Sequence, residues 1–165
     1  MLSDDLSREL APGDPELGWL AQQGRVPLGY LGDPDKTRRT FPSAGGRRFS
    51  VPGDRARRRA DGGVELLGRE SVTINSGGEK IFAEEVEHAL KFHPDVFDVV
   101  VAGRDSERWG QQVVAIVALR SGALADPVAL LACAESHLAR YKLPKDFVFV
   151  PSIQRSPSGK ADYRW

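Results

Sequence analysis

The chain has 165 residues with 41% hydrophobic and 28% charged side chains, and 23 basic residues balance 23 acidic ones. That composition suits a soluble globular protein of one ordinary or two small domains, and the absence of net charge argues against general attraction to nucleic acid or anionic lipid. A single cysteine, Cys133, excludes a disulfide framework, and no segment approaches the ~20 apolar residues of a membrane span. The amino terminus, MLSDDLSREL, has acids early and no apolar run, so it does not read as a secretory signal, and a cytoplasmic location is expected.

Taken in chain order, residues 1–68 are dense in turns. PGDPELGW, PLGYLGDPDK and FPSAGGRRFSVPGD are punctuated by Gly and Pro every few residues, which is poor material for an independent core. RRFSV and VELLG read as short strands, and ADGG between Arg59 and Val64 reads as a hairpin turn, with RARRR on the strand leading into it. From Arg69 the pattern becomes regular. IFAEEVEHALKFHP predicts a helix with Ile81, Phe82, Val86, Ala89 and Leu90 on one face, Glu84, Glu85 and Glu87 on the other, and Pro94 as its stop. VFDVVVAG and QVVAIVAL are β-branched strands. Asp126 and Pro127 form an N-cap and first-turn pair, predicting a helix through Leu130, Leu131, Ala134, Leu138 and Tyr141 up to Pro144. DFVFV is a further strand. The expected architecture is α+β: a β-hairpin plus a three-stranded sheet with packed helices in residues 69–165, preceded by a β-rich segment, 1–68.

Much familiar chemistry is missing. Three histidines and one cysteine cannot build a His/Cys metal site, and no G-x-S-x-G, G-x-G-x-x-G or G-x-x-x-x-G-K-[ST] occurs. The arginines at 47, 48, 55, 57, 58 and 59 have only Phe49 as a nearby aromatic, so they read as a solvated or interdomain strand face rather than a nucleic-acid surface.

What remains is a set of ordered stretches. Asp54 follows a Pro-Gly turn, where a carboxylate can accept from a ribose diol or simply serve the turn. Gly68-Arg69 ends a strand, where Arg suits a phosphate or a structural ion pair. Asn75-Ser76-Gly77-Gly78-Glu79-Lys80 precedes the predicted helix; it permits close backbone approach of an anionic ligand, or is a plain connection. Lys160, in RSPSGKADYRW, is by itself a solvated charge on a flexible tail.

Together these stretches resemble the AMP-forming acyl-CoA synthetases, the adenylate-forming enzymes that include luciferase and peptide-synthetase adenylation domains. PLGYLGDPDKTRRTF is similar to the family's G-Y-x-x-D-P-x-K-T segment, ARYKLPKDFVFV to its Y-K-x-P turn, and RSPSGKADYRW to its terminal R-x-x-x-G-K motif. The resemblance runs from about Gly18 to Trp165. It implies that a carboxylate attacks the α-phosphate of ATP, giving acyl-adenylate and pyrophosphate, and that CoA then displaces AMP. It assigns Lys160 as the adenylation lysine, Asp54 and Arg69 to the nucleotide, Ser71 to the interdomain hinge in place of the usual Asp or Lys, and Gly77, Gly78 and Lys80 to the CoA side. The resemblance also implies that residues 1–68 are the last β-rich piece of a large AMP-binding domain. The phosphate loop, adenine-flanking aromatics, acyl pocket and Mg²⁺-associated acid of that domain are not in this sequence, and one more helix is expected after ADYRW. The chain is therefore expected to be a carboxy-terminal fragment that is inactive alone, whether a truncated reading frame or one piece of a split enzyme, with a separate chain supplying the large domain. The alternative is a noncatalytic docking or regulatory module, or a truncated relic. The terminal motif is closest to those of bacterial ligases for fatty or steroid-side-chain acids.

Overall fold

The computed structural model describes residues 1–163 and consists of two compact units, one ending at Ser71 and the other beginning at Val72. The last two residues of the terminal motif, Arg164 and Trp165, lie outside the described residues.

The first unit contains β1 (Leu17–Trp19), α1 (Pro34–Thr40), β2 (Ser43–Ala44), β3 (Arg47–Arg48), β4 (Asp54–Arg58) and β5 (Val64–Arg69). β1, β4 and β5 form an antiparallel sheet in that order, and β2 pairs with β3. The expected turn at ADGG joins β4 to β5. The partner of VELLG is DRARR, whereas RRFSV contributes only the short β3. Two features depart from expectation. GDPDKT contains a helix, α1, with Asp33 as N-cap accepting from the Lys36 amide at 2.8 Å and Pro34 in its first turn. It buries no residue, so it leaves no apolar periodicity to read. Arg55 is not solvated: its side chain is 2% exposed, stacked 4.1 Å over the Trp19 ring and 2.7 Å from the Asp4 carboxylate. The apolar core is correspondingly small, built on Leu2, Ala44, Phe49 and Val51, with Trp19 packed against it.

The second unit contains β6 (Thr73–Ser76), β7 (Glu79–Phe82), α2 (Ala83–Leu90), β8 (Val96–Ser106), β9 (Gly110–Leu119), α3 (Pro127–Glu135) and β10 (Asp146–Phe149). β8 and β9 form a long antiparallel hairpin, and β9 also pairs with β6 and with β10. β10 runs parallel to β9, as a strand returning through a helical crossover must. The core lies between this sheet and the helices, with Val99, Val101, Val113, Ala115 and Val117 facing Val86, Leu90 and Leu130. The α+β class is as expected. The sheet has five strands because Ile81 and Phe82 do not begin the helix; they pair with Ile74 and Thr73 in a second hairpin. α3 starts as predicted, with Asp126 accepting from the Val128 and Ala129 amides at 3.0 and 3.1 Å. It stops at Glu135, where the Ser136 hydroxyl donates to the Cys133 carbonyl at 2.7 Å, and Tyr141 is left 46% exposed.

Candidate functional site

Asp54 opens β4 and Arg69 closes β5, and the sheet register sets them directly opposite each other. A bulge makes this possible. Ala56 faces Leu66 but Arg55 faces Gly68, so Leu67 is an extra residue on β5. A regular ladder would have put Gly68 opposite Asp54; the bulge brings Arg69 there. Gly68 takes a φ of 146°, which suits glycine at the irregularity. The Arg69 Nε donates to Asp54 Oδ1 at 3.1 Å, with the two side chains 50% and 25% exposed. Both charges are held yet reachable. Beside them is an open recess of about 610 Å³ whose walls include Trp19, Gly53, Arg69 and Ser71.

Ser71 lies in a 3-10 turn, Glu70–Val72, and is the last residue of the first compact unit. Gly77 and Gly78 form the two-residue turn between β6 and β7, with φ of 60° and 88°. Such consecutive positive angles are those of a tight hairpin turn. This corrects the expectation of a loop feeding a helix: four residues of strand separate the glycines from α2, so the helix start is not part of this loop. The Gly77 amide donates to the Trp109 carbonyl at 2.8 Å, and a Cβ on Gly77 would lie 3.1 Å from the Trp109 ring. Lys80 stands on β7 opposite Asn75 and is exposed.

Lys160 is exposed on a tight turn rather than on a free tail. The Ser156 amide donates to the Lys160 carbonyl at 2.9 Å, the Lys160 amide to Ser156 Oγ at 3.2 Å, and Gly159 takes a φ of 77°. Arg155 closes the turn by donating to the Gly159 carbonyl at 3.0 Å. The same guanidinium grips Asp98 with two bonds of 2.6 and 2.5 Å, and this hydrogen bonding holds the Asp98 carboxyl below the usual carboxylate range. On the far side of the turn, the Tyr163 hydroxyl donates to Glu87 Oε1 at 3.0 Å.

Glu87 is a further departure from expectation. It is 8% exposed and sits on the core side of α2, because it is four residues after Ala83 and three before Leu90, both fully buried. Burial raises its carboxyl above the usual range, and burial likewise raises the Tyr163 hydroxyl. An acid at an apolar-face spacing was the available signal for Glu87. An acid inside the β-branched run VFDVVV was the signal for Asp98. Among the described residues no three His, Cys, Asp or Glu side chains converge in one cluster. No helix among them is long and apolar enough to cross a membrane.

Residues 85–160 match the family model of the AMP-binding enzyme C-terminal domain. Over 163 residues the chain is 66% identical to the medium-chain acyl-CoA ligase Mig of Mycobacterium avium, covering 99% of this chain and 30% of that protein. Residues 85–160 are thus an AMP-binding enzyme C-terminal domain, and the chain is similar along almost its whole length to acyl-CoA ligases. It is also 51% identical over 162 residues to the 3-oxocholest-4-en-26-oate–CoA ligase of Rhodococcus rhodochrous, covering 98% of this chain and 29% of that one. Among solved structures, ATP-bound MatB from Rhodopseudomonas palustris matches with a TM-score of 0.81 at 28% identity, over 97% of this chain and 31% of MatB. The o-succinylbenzoate CoA synthetase MenE of Bacillus subtilis, in complex with its acyl-adenylate intermediate, matches with a TM-score of 0.79 at 28% identity, over 92% of this chain and 30% of MenE. The chain thus spans about 30% of the length of the curated relatives it matches.

Proposed function

We propose that this chain is the carboxy-terminal portion of an ATP-dependent acyl-CoA ligase acting on a medium- or long-chain fatty acid. The observation that carries the proposal is the 66% identity to the medium-chain ligase along 99% of the chain. The substrate class is supported by that relative's name, since the acyl pocket is not among these residues.

The chemistry follows from the residues. In the first half-reaction the acid's carboxylate attacks the α-phosphate, and negative charge crowds around the forming bond. Lys160 supplies a compact, strongly hydrated point charge that can lie between the two anions, stabilising the developing charge more than either reactant alone. Asp54 accepts hydrogen bonds from the ribose hydroxyls, and Arg69, already paired with it, faces the nucleotide's phosphate side. In the second half-reaction the Gly77-Gly78 turn gives the pantetheine arm of CoA a backbone without side chains to slide past, with Lys80 nearby to meet its phosphates. Ser71, at the junction of the two compact units, absorbs the backbone change between the half-reactions. ATP, its Mg²⁺ and the acyl chain are held mainly by the rest of the large domain, in the same or a separate chain. The reading also places the enzyme in the cytoplasm, where ATP and CoA are present and a lone thiol such as Cys133 stays reduced.

The test is ATP–pyrophosphate exchange with a medium-chain acid. These 165 residues alone should give none, and a ligase completed with the preceding part of the Mycobacterium avium relative should give exchange and acyl-CoA. Robust exchange by the chain alone, or a folded completed ligase that makes neither product, would sink the proposal.

A further inference from the structure

β8 pairs with β9 along one edge, and its other edge carries no partner strand among the described residues. Two amides on that outer edge are nevertheless bonded. Val99 N donates to Asp98 Oδ1 and Val101 N to Glu87 Oε1, each at 2.9 Å. Both carboxylates are used a second time, and both times by the carboxy-terminal segment. Arg155 grips Asp98 through two bonds, and Tyr163 donates to Glu87. Between these anchors lies the turn with Lys160, closed on itself by Ser156 and by the isolated bridge of Arg155 with Ala161.

The chemistry of the anchors argues for more than packing. Glu87 is a buried carboxylate at a position where an apolar residue would fill the α2 face at no desolvation cost. Its one oxygen serves the strand edge and the tail together. Tyr163 also lines, with Val100, Ile116 and Val148, an open recess of about 360 Å³. A phenylalanine would line it equally well, so the hydroxyl has its use in the bond to Glu87.

We propose that Arg155 and Tyr163 are positioning residues, mooring the Lys160 turn to the outer edge of β8 through Asp98 and Glu87. The lysine is then a flexible side chain on a fixed mount. Its ammonium group keeps the reach to follow developing charge, while the backbone beneath it is already ordered and need not be ordered during the reaction. The proposal rests on the reading of Lys160 as the adenylation lysine.

The test uses Tyr163→Phe and Arg155→Lys in two settings. In the intact chain, hydrogen exchange at the Gly159 and Lys160 amides should speed up about tenfold or more in each variant, while the amides of α3 keep their wild-type rates. In the completed ligase, each variant should lower the adenylation kcat about 10- to 100-fold, leave the KM for ATP unchanged, and leave CoA transfer from supplied acyl-adenylate unchanged. Unchanged exchange in both variants overturns the mooring. So does an equal loss in both half-reactions, which is the mark of general damage. If Lys160→Ala abolishes adenylation while both variants adenylate normally, the mooring fails and the lysine reading survives. If Lys160→Ala itself retains adenylation, the lysine reading fails and the proposal with it.

Discussion

Arg55 gives a quantitative test of how the first unit holds β4, the strand that Asp54 opens. Its guanidinium stacks on Trp19, donates to the Leu17 carbonyl at 3.1 Å and meets Asp4 at 2.7 Å. Truncation to alanine removes a desolvated cation–π contact of about 2 kcal/mol, and with it buried stem methylenes contributing about 2 kcal/mol more. Opposing this is the cost of burying the charge, several kcal/mol in general, with Nη1 making no hydrogen bond and Nε meeting the Glu70 carboxylate only at 3.5 Å. Asp4 is 64% exposed, so its carboxylate rehydrates once the arginine is gone. Methionine keeps most of the stem's volume and brings no orphan donor. We therefore expect Arg55→Ala to destabilise the first unit by about 2–4 kcal/mol, and Arg55→Met by less than about 1 kcal/mol. Because the chain has two compact units, a single unfolding free energy is not the right observable. Hydrogen exchange is, at the Trp19 amide bonded to Leu2 and the Leu20 amide bonded to Asp54. Arg55→Ala should speed these by roughly 30- to 1,000-fold, with α3 in the second unit as an unaffected reference. If methionine is as damaging as alanine, the ionic contacts outweigh the packing and this reasoning is wrong.

Three further outcomes are expected. Burial raises the Glu87 carboxyl, so the stability tied to it is fully present below the ordinary glutamate range and is lost as pH rises through the raised value. Glu87→Gln, which does not titrate, should therefore gain on the wild type in the urea midpoint of the second unit, followed through the exchange of its β8 amides, between pH 4 and pH 8; a constant difference across that range contradicts the burial argument. In the completed ligase, Asp54→Ala should raise the KM for ATP roughly 10- to 100-fold, as loss of charge-assisted hydrogen bonds implies. It should also erase discrimination against deoxyribose analogues; discrimination that survives would remove Asp54 from the ribose. Gly77→Ala places a Cβ 3.1 Å from the Trp109 ring in a left-handed conformation costing about 1–2 kcal/mol. It should slow CoA transfer more than adenylation, and the reverse order, measured on the separate half-reactions, would move the turn away from the CoA path.

The parts of the fold legible in the sequence are those whose side chains state their surroundings. The β-branched runs of β8 and β9 and the Asp-Pro start of α3 read directly. α1 carries the same Asp-Pro signal, but with no buried face it has no periodicity, and the glycines and prolines around it made the segment look like turns. Ile81 and Phe82 fit a helical face and a strand equally well; pairing with Ile74 and Thr73 decided the matter, and such long-range pairing has no local signature. In the candidate site, Asp54, Arg69 and Lys160 are assigned by motif resemblance alone. That Asp54 and Arg69 face each other depends on one bulged residue, Leu67, which spacing alone does not show. The tail looked free because it is polar and rich in Gly, Pro and Ser. Its anchors are ion-pair and hydrogen-bond partners 57 and 76 residues away in sequence. The charge of Glu87 points to solvent, but its position three residues before Leu90 puts it on the buried face.

The central claim is that Lys160 does chemistry in the first half-reaction only. The measurement that tests it most directly is Lys160→Ala in the completed ligase, with the two half-reactions assayed separately. ATP–pyrophosphate exchange should fall by about three orders of magnitude, as removal of a charge-stabilising group at the reacting phosphate implies, while thioester formation from supplied acyl-adenylate should stay within a few fold of wild type. Exchange that persists, or an equal loss in both steps, would contradict the account.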